Sequence, residues 1–200
     1  MQFEPNHIYH IFNRGNNSQT LFFNRENYLF FLQKLKTYIT PFADILAWCL
    51  MPNHFHLMVY TNRVTVQLSE QVSPSHQFTK ERSLNDSVSI LLRSYTRAIN
   101  KQENKTGSLF QHRTKSICLT DDSGITPAWF QTNYGTRINI IDPEKEYPQV
   151  CFNYIHQNPV KAKLVKDSND WEFSSYPDYS GKRDGKLINR EQAEEFGLQI

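Results

Sequence analysis

Two histidines separated by a single residue are the first candidates for chemistry. His54 and His56 lie in a strand-like run. Because side chains alternate between the two faces of a strand, both imidazoles are expected on one face, close enough to hold one metal ion. The spacing alone is weak support, since a His-x-His pair in a strand is more often a pair of surface or core histidines.

Tyr154 and Asn158 form a second candidate pair. They lie four residues apart on a predicted helix, so they share one face, and a phenol and an amide so placed can meet one substrate. The alternative is a tyrosine packed against the core and an asparagine that ends the helix before Pro159, and the spacing alone favours that alternative.

Strands and helices must position these pairs, and the hydrophobic pattern predicts them. β-Prone runs predict strands over 8–12, 45–50 and 55–60, the last two joined as a hairpin, and a further strand after Phe110. Three- and four-residue spacing of apolar side chains predicts helices over 25–39, 87–100, 148–158 and 190–196. Pro159 is expected to end or bend the third of these helices.

Two stretches lack clear periodicity. Residues 61–86 are predicted to form a loop with at most one short element, and residues 120–147 an irregular insertion that holds a short helix. The order β-α-β-β-α-β predicts an α+β fold, a ferredoxin-like (RRM-like) antiparallel sheet with helices on it. Residues 1–179 are expected to form a single domain, and residues 180–200 a charged tail with a short helix.

Composition excludes several classes. The 200 residues, 38% of them hydrophobic, can bury a core, and no run approaches the roughly 18 apolar residues of a membrane helix. The first residues lack the pattern of a signal peptide, so a cytoplasmic location without a membrane partner is expected. The three cysteines fit neither a disulfide framework nor a zinc motif and are predicted reduced and buried. A net charge of +2 means that DNA binding must rest on local clusters.

Five blocks of the chain carry a resemblance to a known family. They are WCLMPNHFHLMV (48–59), YIHQNPVKAKLV (154–165), WEFSSY (171–176), YHIFNRGN (9–16) and GSLFQHRTKS (107–116). In their order along the chain they resemble the REP-associated tyrosine transposases, which are single-tyrosine transposases with the HUH motif of histidine, bulky hydrophobe, histidine. The resemblance spans residues 9–179 and implies an HUH-endonuclease type of fold.

The resemblance implies a chemistry for both candidate pairs. His54, His56 and Asn158 would hold Mg²⁺ or Mn²⁺, and Tyr154 would be the nucleophile that cleaves single-stranded DNA. Attack would give a 5′-phosphotyrosine and a free 3′-hydroxyl, and the reverse attack by another 3′-hydroxyl would transfer the strand. A free phenol has a pKa near 10 and needs help from the cation or from a base. His156 would point away from Tyr154 and is interpreted as structural.

The family's substrate is single-stranded DNA, often beside a hairpin from repetitive palindromic elements. Eight cations are candidates for phosphate contacts, with the alternative that each is a solvated surface charge: Arg14, Arg93, Arg97, Lys101, Arg113, Lys115, Lys161 and Lys163. Arg14 and Arg113 are the best supported, because both lie in family-like blocks. A nucleoid-associated location follows from such a partner.

Three functional hypotheses remain open at this point. The first is a metal-dependent strand-transferase acting through Tyr154, and the second is a catalytically silent DNA-binding module derived from a transposase. The third is a zinc hydrolase that uses His54 and His56 with a water nucleophile, although no neighbouring carboxylate offers a general base. The chain is expected to act as a monomer or a homodimer, with the tyrosine helix used within one chain or exchanged between two.

Overall fold

A central four-stranded antiparallel sheet organises the computed structural model. The structure describes residues 1–73, 76–120, 129–132, 135–138 and 143–200, with side chains described outside 69–80 and 121–146. The elements are β1 (Ile8–Arg14), α1 (Arg25–Tyr38), β2 (Ala43–Met51), β3 (His54–Thr61), β4 (Thr65–Ser73), β5 (His76–Ser83), α2 (Leu84–Gln102), β6 (Lys115–Cys118), β7 (Trp129–Thr132), β8 (Gly135–Ile138), α3 (Pro143–Lys161), α4 (Tyr176–Tyr179) and α5 (Arg190–Glu195).

The strand order of the central sheet is β2-β3-β1-β6, with every neighbouring pair antiparallel. This is the predicted ferredoxin-like arrangement, and the fold class is confirmed. β2 and β3 form the predicted hairpin, in which Met51 pairs with His54 across the two-residue connection Pro52-Asn53. The connection fixes the register of β3, and therefore which of its side chains reach each face.

Helices cover both faces of the sheet, and the two-residue period of the strands separates the faces. Tyr9, Phe55 and Leu57 pack into one core with α1 and α2. The intervening Ile8 and Met58 pack into a second core, with α3 and α5. His10, His54 and His56 have the same parity as Ile8 and Met58, so they face the α3 side.

α1 and α2 begin at side-chain caps. Asn24 accepts a hydrogen bond from the backbone N–H of Asn27, and α1 runs as predicted. Ser83 and Asp86 form a capping box that starts α2 at Leu84, three residues before the predicted start. The cap was missed because Ser83 lies in the polar stretch that was interpreted as a loop.

The loop predicted over 61–86 is wrong, because this stretch contains the antiparallel pair β4 and β5, followed by the start of α2. The two strands pair with each other and stand outside the central sheet. Backbone hydrogen bonds hold such a pair even where most residues are polar, as they are in this Ser-, Thr- and Gln-rich stretch.

The stretch 120–147 is also more regular than predicted. β7 pairs with β8, and α3 begins at Pro143. The rest of the predicted insertion, with any short helix in it, lies outside the described residues. The strand predicted after Phe110 is present, although it is confined to β6.

Pro159 was predicted to end or bend the third helix, and the end is wrong, since α3 continues to Lys161 with Pro148 and Pro159 inside it. Proline removes one donor near the end of the helix, while the following turn still forms through hydrogen bonds from Ala162 N–H to Asn158 O and from Leu164 N–H to Pro159 O. The proline therefore lies where the helix tolerates it.

The C-terminal residues pack against the outer edge of β2. Leu50 N–H donates to Phe173 O at 2.8 Å and Ser175 N–H to Trp48 O at 2.9 Å, which covers an edge strand. The predicted terminal helix is confirmed as α5, and Gly197 follows it at φ +69°. Among the described residues, no helix is long and apolar enough to cross a bilayer.

The three cysteines are free thiols, as predicted. Only Cys49 is buried; Cys118 and Cys151 are partly exposed, so the expected burial is wrong for these two. Cys118 lies in the edge strand β6, where pairing on one side leaves part of the side chain in contact with solvent.

Candidate active site

Three imidazoles meet on the α3 face of the sheet. The ring centroids of His54 and His56 are 5.1 Å apart, with the ring planes nearly perpendicular. His10 of β1 is the diagonal neighbour of His56, since His56 pairs with Phe12 and His10 pairs with Met58. The structure therefore places the two predicted ligands on one face, as the strand period requires.

Each imidazole of the pair has a hydrogen-bond partner at Nδ1. The Nδ1 of His54 lies 2.7 Å from Oδ1 of Asn53, which only accepts, so His54 carries its proton on Nδ1 and its lone pair on Nε2. The Nδ1 of His56 lies 2.9 Å from Nε2 of His10. The Nε2 of His56 is buried and has no hydrogen-bond partner in the described part of the chain.

Both histidines of the pair are held neutral. Burial lowers the pKa of His56 to about 2, with smaller contributions from His10 and His54. Burial also lowers the pKa of His54; a hydrogen bond with the Asn158 side chain opposes this, and the charge of Arg14 adds to it. Neutral imidazole is the form that binds a metal ion.

α3 places Tyr154 opposite the histidines. The Tyr154 ring lies edge-on to His56, with centroids 5.2 Å apart, and 41% of the residue remains exposed. The side-chain amide of Asn158 donates to Tyr154 O at 3.0 Å, and this turns Nδ2 toward the helix and leaves Oδ1 as the acceptor available to the His54 side chain. The Nζ of Lys161 lies 5.4 Å from the centroid of the Tyr154 ring.

The donor set of two imidazoles and one amide oxygen is able to hold a divalent cation. The described residues contain no group of three or more His, Cys, Asp or Glu side chains that could hold a metal. Within the described part of the chain, a third ligand beside His54 and His56 therefore has to come from another residue type. Asn158 lies within hydrogen-bonding reach of His54 and supplies an amide oxygen. The unpartnered Nε2 of His56 is the clearest sign that this cluster lacks one binding partner.

Two adjoining clefts bring most of the candidate cations together. A cleft of about 260 Å³ contains His54, His56 and Tyr154 together with Arg14, Arg113 and Lys115. A second cleft, of about 630 Å³, is lined by Arg93 and Arg97 of α2. Asn13 and Gln111 line both clefts, and neither cleft is lined by a described aspartate or glutamate. Lys101 and Lys163 line neither cleft.

The end of β1 is built to present Arg14. Asn13 is buried and its amide donates to Thr114 Oγ1 at 2.9 Å, while its Oδ1 accepts from Arg14 N–H at 2.7 Å. A Cβ at Gly15 would lie 2.1 Å from Gln19 O, so only glycine allows this close turn. Arg14 itself is exposed at the mouth of the smaller cleft.

His156 does not belong to the cluster. It is buried on the core side of α3, and its Nε2 lies 2.7 Å from Oγ of Ser175 in the C-terminal segment. Ser175 also accepts from Trp48 N–H at 2.9 Å through the same oxygen. This contact, called here the tail latch (Trp48, His156 and Ser175), ties α3 to β2 and agrees with the structural interpretation of His156.

Sequence reasoning missed His10 and Asn53 as members of the site. His10 lies in a predicted strand, but its approach to His56 depends on the pairing of β1 with β3, which a single sequence does not give. Asn53 precedes His54 in the turn, and the conformation of that turn, which the sequence does not give, brings its side chain to the Nδ1 of His54. The one available signal was the two-residue period of β1, which places His10 on the same face of the strand as Phe12.

Comparison with known proteins shows a likeness in structure alone. No family model matches the chain, and no curated protein matches it. The fold is similar to the solved structure of a REP-associated tyrosine transposase bound to a REP hairpin. The likeness has a TM-score of 0.56 at 15% identity and covers 94% of this chain and 92% of that one. The chain therefore shares its fold with a tyrosine transposase.

Proposed function

We propose that this protein is a REP-associated tyrosine transposase that cleaves and transfers single-stranded DNA with the help of a divalent metal. One observation carries the proposal: the Tyr154 phenol faces His56 across a cleft that also contains His54 and three cationic side chains. The fold likeness and the family-like sequence blocks support the same assignment independently.

The metal ligands in this proposal are His54, His56 and Asn158. The unpartnered Nε2 of His56, the Nε2 lone pair of His54 and the amide oxygen of Asn158 would hold Mg²⁺ or Mn²⁺ and would leave positions for phosphate oxygens. When bound, the cation supplies neutralisation of the charge that develops on the scissile phosphate. The protein contributes neutral ligands, fixed in orientation by the sheet.

The covalent step uses the Tyr154 hydroxyl. Its oxygen forms a bond to phosphorus while the bond from phosphorus to the 3′-oxygen breaks; the phenol loses its proton and the departing 3′-oxygen gains one. The product is a 5′-phosphotyrosine, and attack by a second 3′-hydroxyl reverses the step and joins a new strand. One phosphodiester replaces another, so no nucleotide cofactor is needed. Lys161, beside the ring, adds a positive charge close to the reacting phosphate.

The DNA path in this proposal follows the two clefts. Arg14, Arg113 and Lys115 lie around the reacting groups, and Arg93 and Arg97 extend the cationic lining along α2. The absence of carboxylates among the described lining residues suits a phosphate backbone. A hairpin-bearing single strand is the substrate we infer, since the structurally similar transposase is bound to a hairpin.

The test is formation of a covalent complex. The protein is incubated with a pool of hairpin-bearing single strands and Mn²⁺, and denatured samples are analysed for protein that migrates with DNA. We expect an adduct that requires Mn²⁺ and disappears in Tyr154→Phe. Tyr147→Phe is the matched control, because Tyr147 is an exposed tyrosine of the same helix.

Two outcomes would contradict the proposal. Tight binding of the hairpin without any adduct or nick would identify a silent DNA-binding module. Cleavage that continues without an adduct in Tyr154→Phe would identify hydrolysis by water.

A further inference from the structure

We propose that His10 is a positioning residue whose Nε2 accepts a hydrogen bond from the Nδ1–H of His56. This hydrogen bond keeps the Nε2 of His56 unprotonated and able to bind the metal. The inference rests on the proposed function, because it concerns the same metal site. It assigns a role to a side chain that is not itself a ligand: the Nε2 of His10 is already engaged with His56 at 2.9 Å.

Only one proton lies between the two rings when both imidazoles are neutral, so there are two possible arrangements. In the first, the Nδ1–H of His56 donates to the Nε2 of His10. In the second, the Nε2–H of His10 donates to the Nδ1 of His56. The direction of this one hydrogen bond therefore decides which nitrogen of His56 carries its proton.

The surroundings of His56 favour the first arrangement. The second would leave a proton on the Nε2 of His56, which is buried and has no partner in the described part of the chain. Buried N–H groups without an acceptor are rarer in proteins than buried acceptors without a donor. The second arrangement would also remove the lone pair that a metal needs.

His10 is held in place for this role. It is 6% exposed, and its ring stacks on Phe12 with centroids 4.6 Å apart and an interplanar angle of 26°. The pairing of β1 with β3 brings it beside His56. Neither the stack nor the strand allows the ring to turn away from His56 without loss of packing.

Asn53 does the same for the other imidazole. Its Oδ1 accepts from the Nδ1 of His54 at 2.7 Å, and its Nδ2 is turned toward Ser18 O. The two candidate ligands thus have their acceptors on separate elements, the turn before β3 and the strand β1. Such outer partners orient metal-binding histidines and fix their tautomers.

The experiment compares the wild-type protein with His10→Phe and His10→Gln. Phenylalanine keeps a flat ring on Phe12 but removes the acceptor, whereas the Gln carbonyl oxygen can occupy the position of the histidine Nε2. Nitrogen-15 NMR of the imidazoles in the metal-free protein reports the tautomer of His56, and electron paramagnetic resonance of free Mn²⁺ reports affinity.

We expect the wild-type His56 to carry its proton on Nδ1. Mn²⁺ affinity should fall roughly 10- to 100-fold in His10→Phe and recover most of that loss in His10→Gln. A proton on the Nε2 of wild-type His56, or unchanged Mn²⁺ affinity in His10→Phe, would overturn the inference. If His10→Phe fails to fold, the tautomer of His56 in the wild-type protein and the Mn²⁺ affinity of His10→Gln still test the role of His10.

The proposed function can fail separately. Absence of a DNA adduct with the expected tautomer and metal affinity would refute strand transfer and leave the role of His10 standing. An Nε2 proton on His56 beside a normal, Tyr154-dependent adduct would refute the role of His10 alone.

Discussion

The two halves of the candidate site are held by different kinds of structure. His54 and His56 lie on β3, which pairs with β2 on one side and β1 on the other, and a two-residue turn sets its register. Tyr154 lies on α3, which packs on the sheet and is tied to β2 through the tail latch, with Trp48 and Ser175 127 residues apart in the chain. The register of the histidine half is thus set by a turn between neighbours in sequence, with β1 as a distant second partner, whereas the tyrosine half is tied to the sheet only by distant residues.

Because of this difference, we expect metal affinity and the stability of the fold to respond to different mutations. Changes in the histidine half should alter metal affinity while the fold persists, because the sheet has two cores of its own. Changes in the tail latch should weaken the folded state and leave the metal ligands of β3 in place. A variant that altered both properties together would break the distinction.

The largest effect is expected from His56→Ala. Loss of a ligand should lower Mn²⁺ affinity by about 100-fold or more, beyond the usual effect of an outer partner, and should abolish the DNA adduct. Binding is measured by titration with Mn²⁺ under electron paramagnetic resonance. His7→Ala is the control, since His7 faces Thr120 away from the cleft. Wild-type affinity in His56→Ala would remove His56 from the metal site.

The next effect concerns the latch. Ser175→Ala leaves the Nε2 of His156 and the N–H of Trp48 buried without this partner, and should reduce the free energy of unfolding by roughly 1–3 kcal/mol. Urea unfolding measures the loss, and Ser180→Ala is a control for an exposed hydroxyl. Mn²⁺ affinity below the urea transition should stay at the wild-type value. Unchanged stability would show that the latch does not hold α3.

Acid should weaken the fold through its buried histidines. Burial lowers the pKa of His156 to about 3 and of His10 to about 4. The unfolded chain, with pKa near 6.5, therefore binds more protons. The contribution of these two neutral histidines to the free energy of unfolding is complete above about pH 6.5. It is lost as the pH falls, at up to about 1.4 kcal/mol per pH unit for each group.

Urea midpoints of the metal-free protein between pH 7.5 and 5 test this dependence. His156→Gln keeps a partner for Ser175 but removes one titrating group, so its pH dependence should be shallower than that of the wild type. A flat profile for the wild-type protein would contradict the assigned burial of these rings.

The smallest effect is expected in the second cleft, which is lined by Arg93 and Arg97 of α2. Arg97→Gln removes one phosphate contact of the proposed DNA path, and should reduce the slope of log affinity against log salt by about 0.7 for a single strand. Fluorescence anisotropy at several salt concentrations measures the slope. Lys101→Gln is the matched control on the same helix, since Lys101 lines neither cleft. Equal slopes for both variants would remove α2 from the DNA path.

The same division explains what the sequence could predict. The shared face of His54 and His56 and the β2–β3 hairpin follow from a two-residue period and a turn, both visible within a dozen residues. The partner of His56 in β1 and the tail latch depend on pairings that span 46 and 127 residues, which no local pattern encodes. The strands β4 and β5 were missed because the stretch is rich in Ser, Thr and Gln and its few apolar residues, such as Val66 and Leu68, give only a short alternation.

The position at which DNA is attached to the protein tests the role of Tyr154 directly. The adduct formed with Mn²⁺ is trapped, digested with a protease and a nuclease, and sequenced by mass spectrometry. We expect a 5′-phosphate remnant on the phenolic oxygen of Tyr154. A remnant on any other residue, or cleaved DNA with a free 5′-phosphate and unmodified Tyr154, would contradict it.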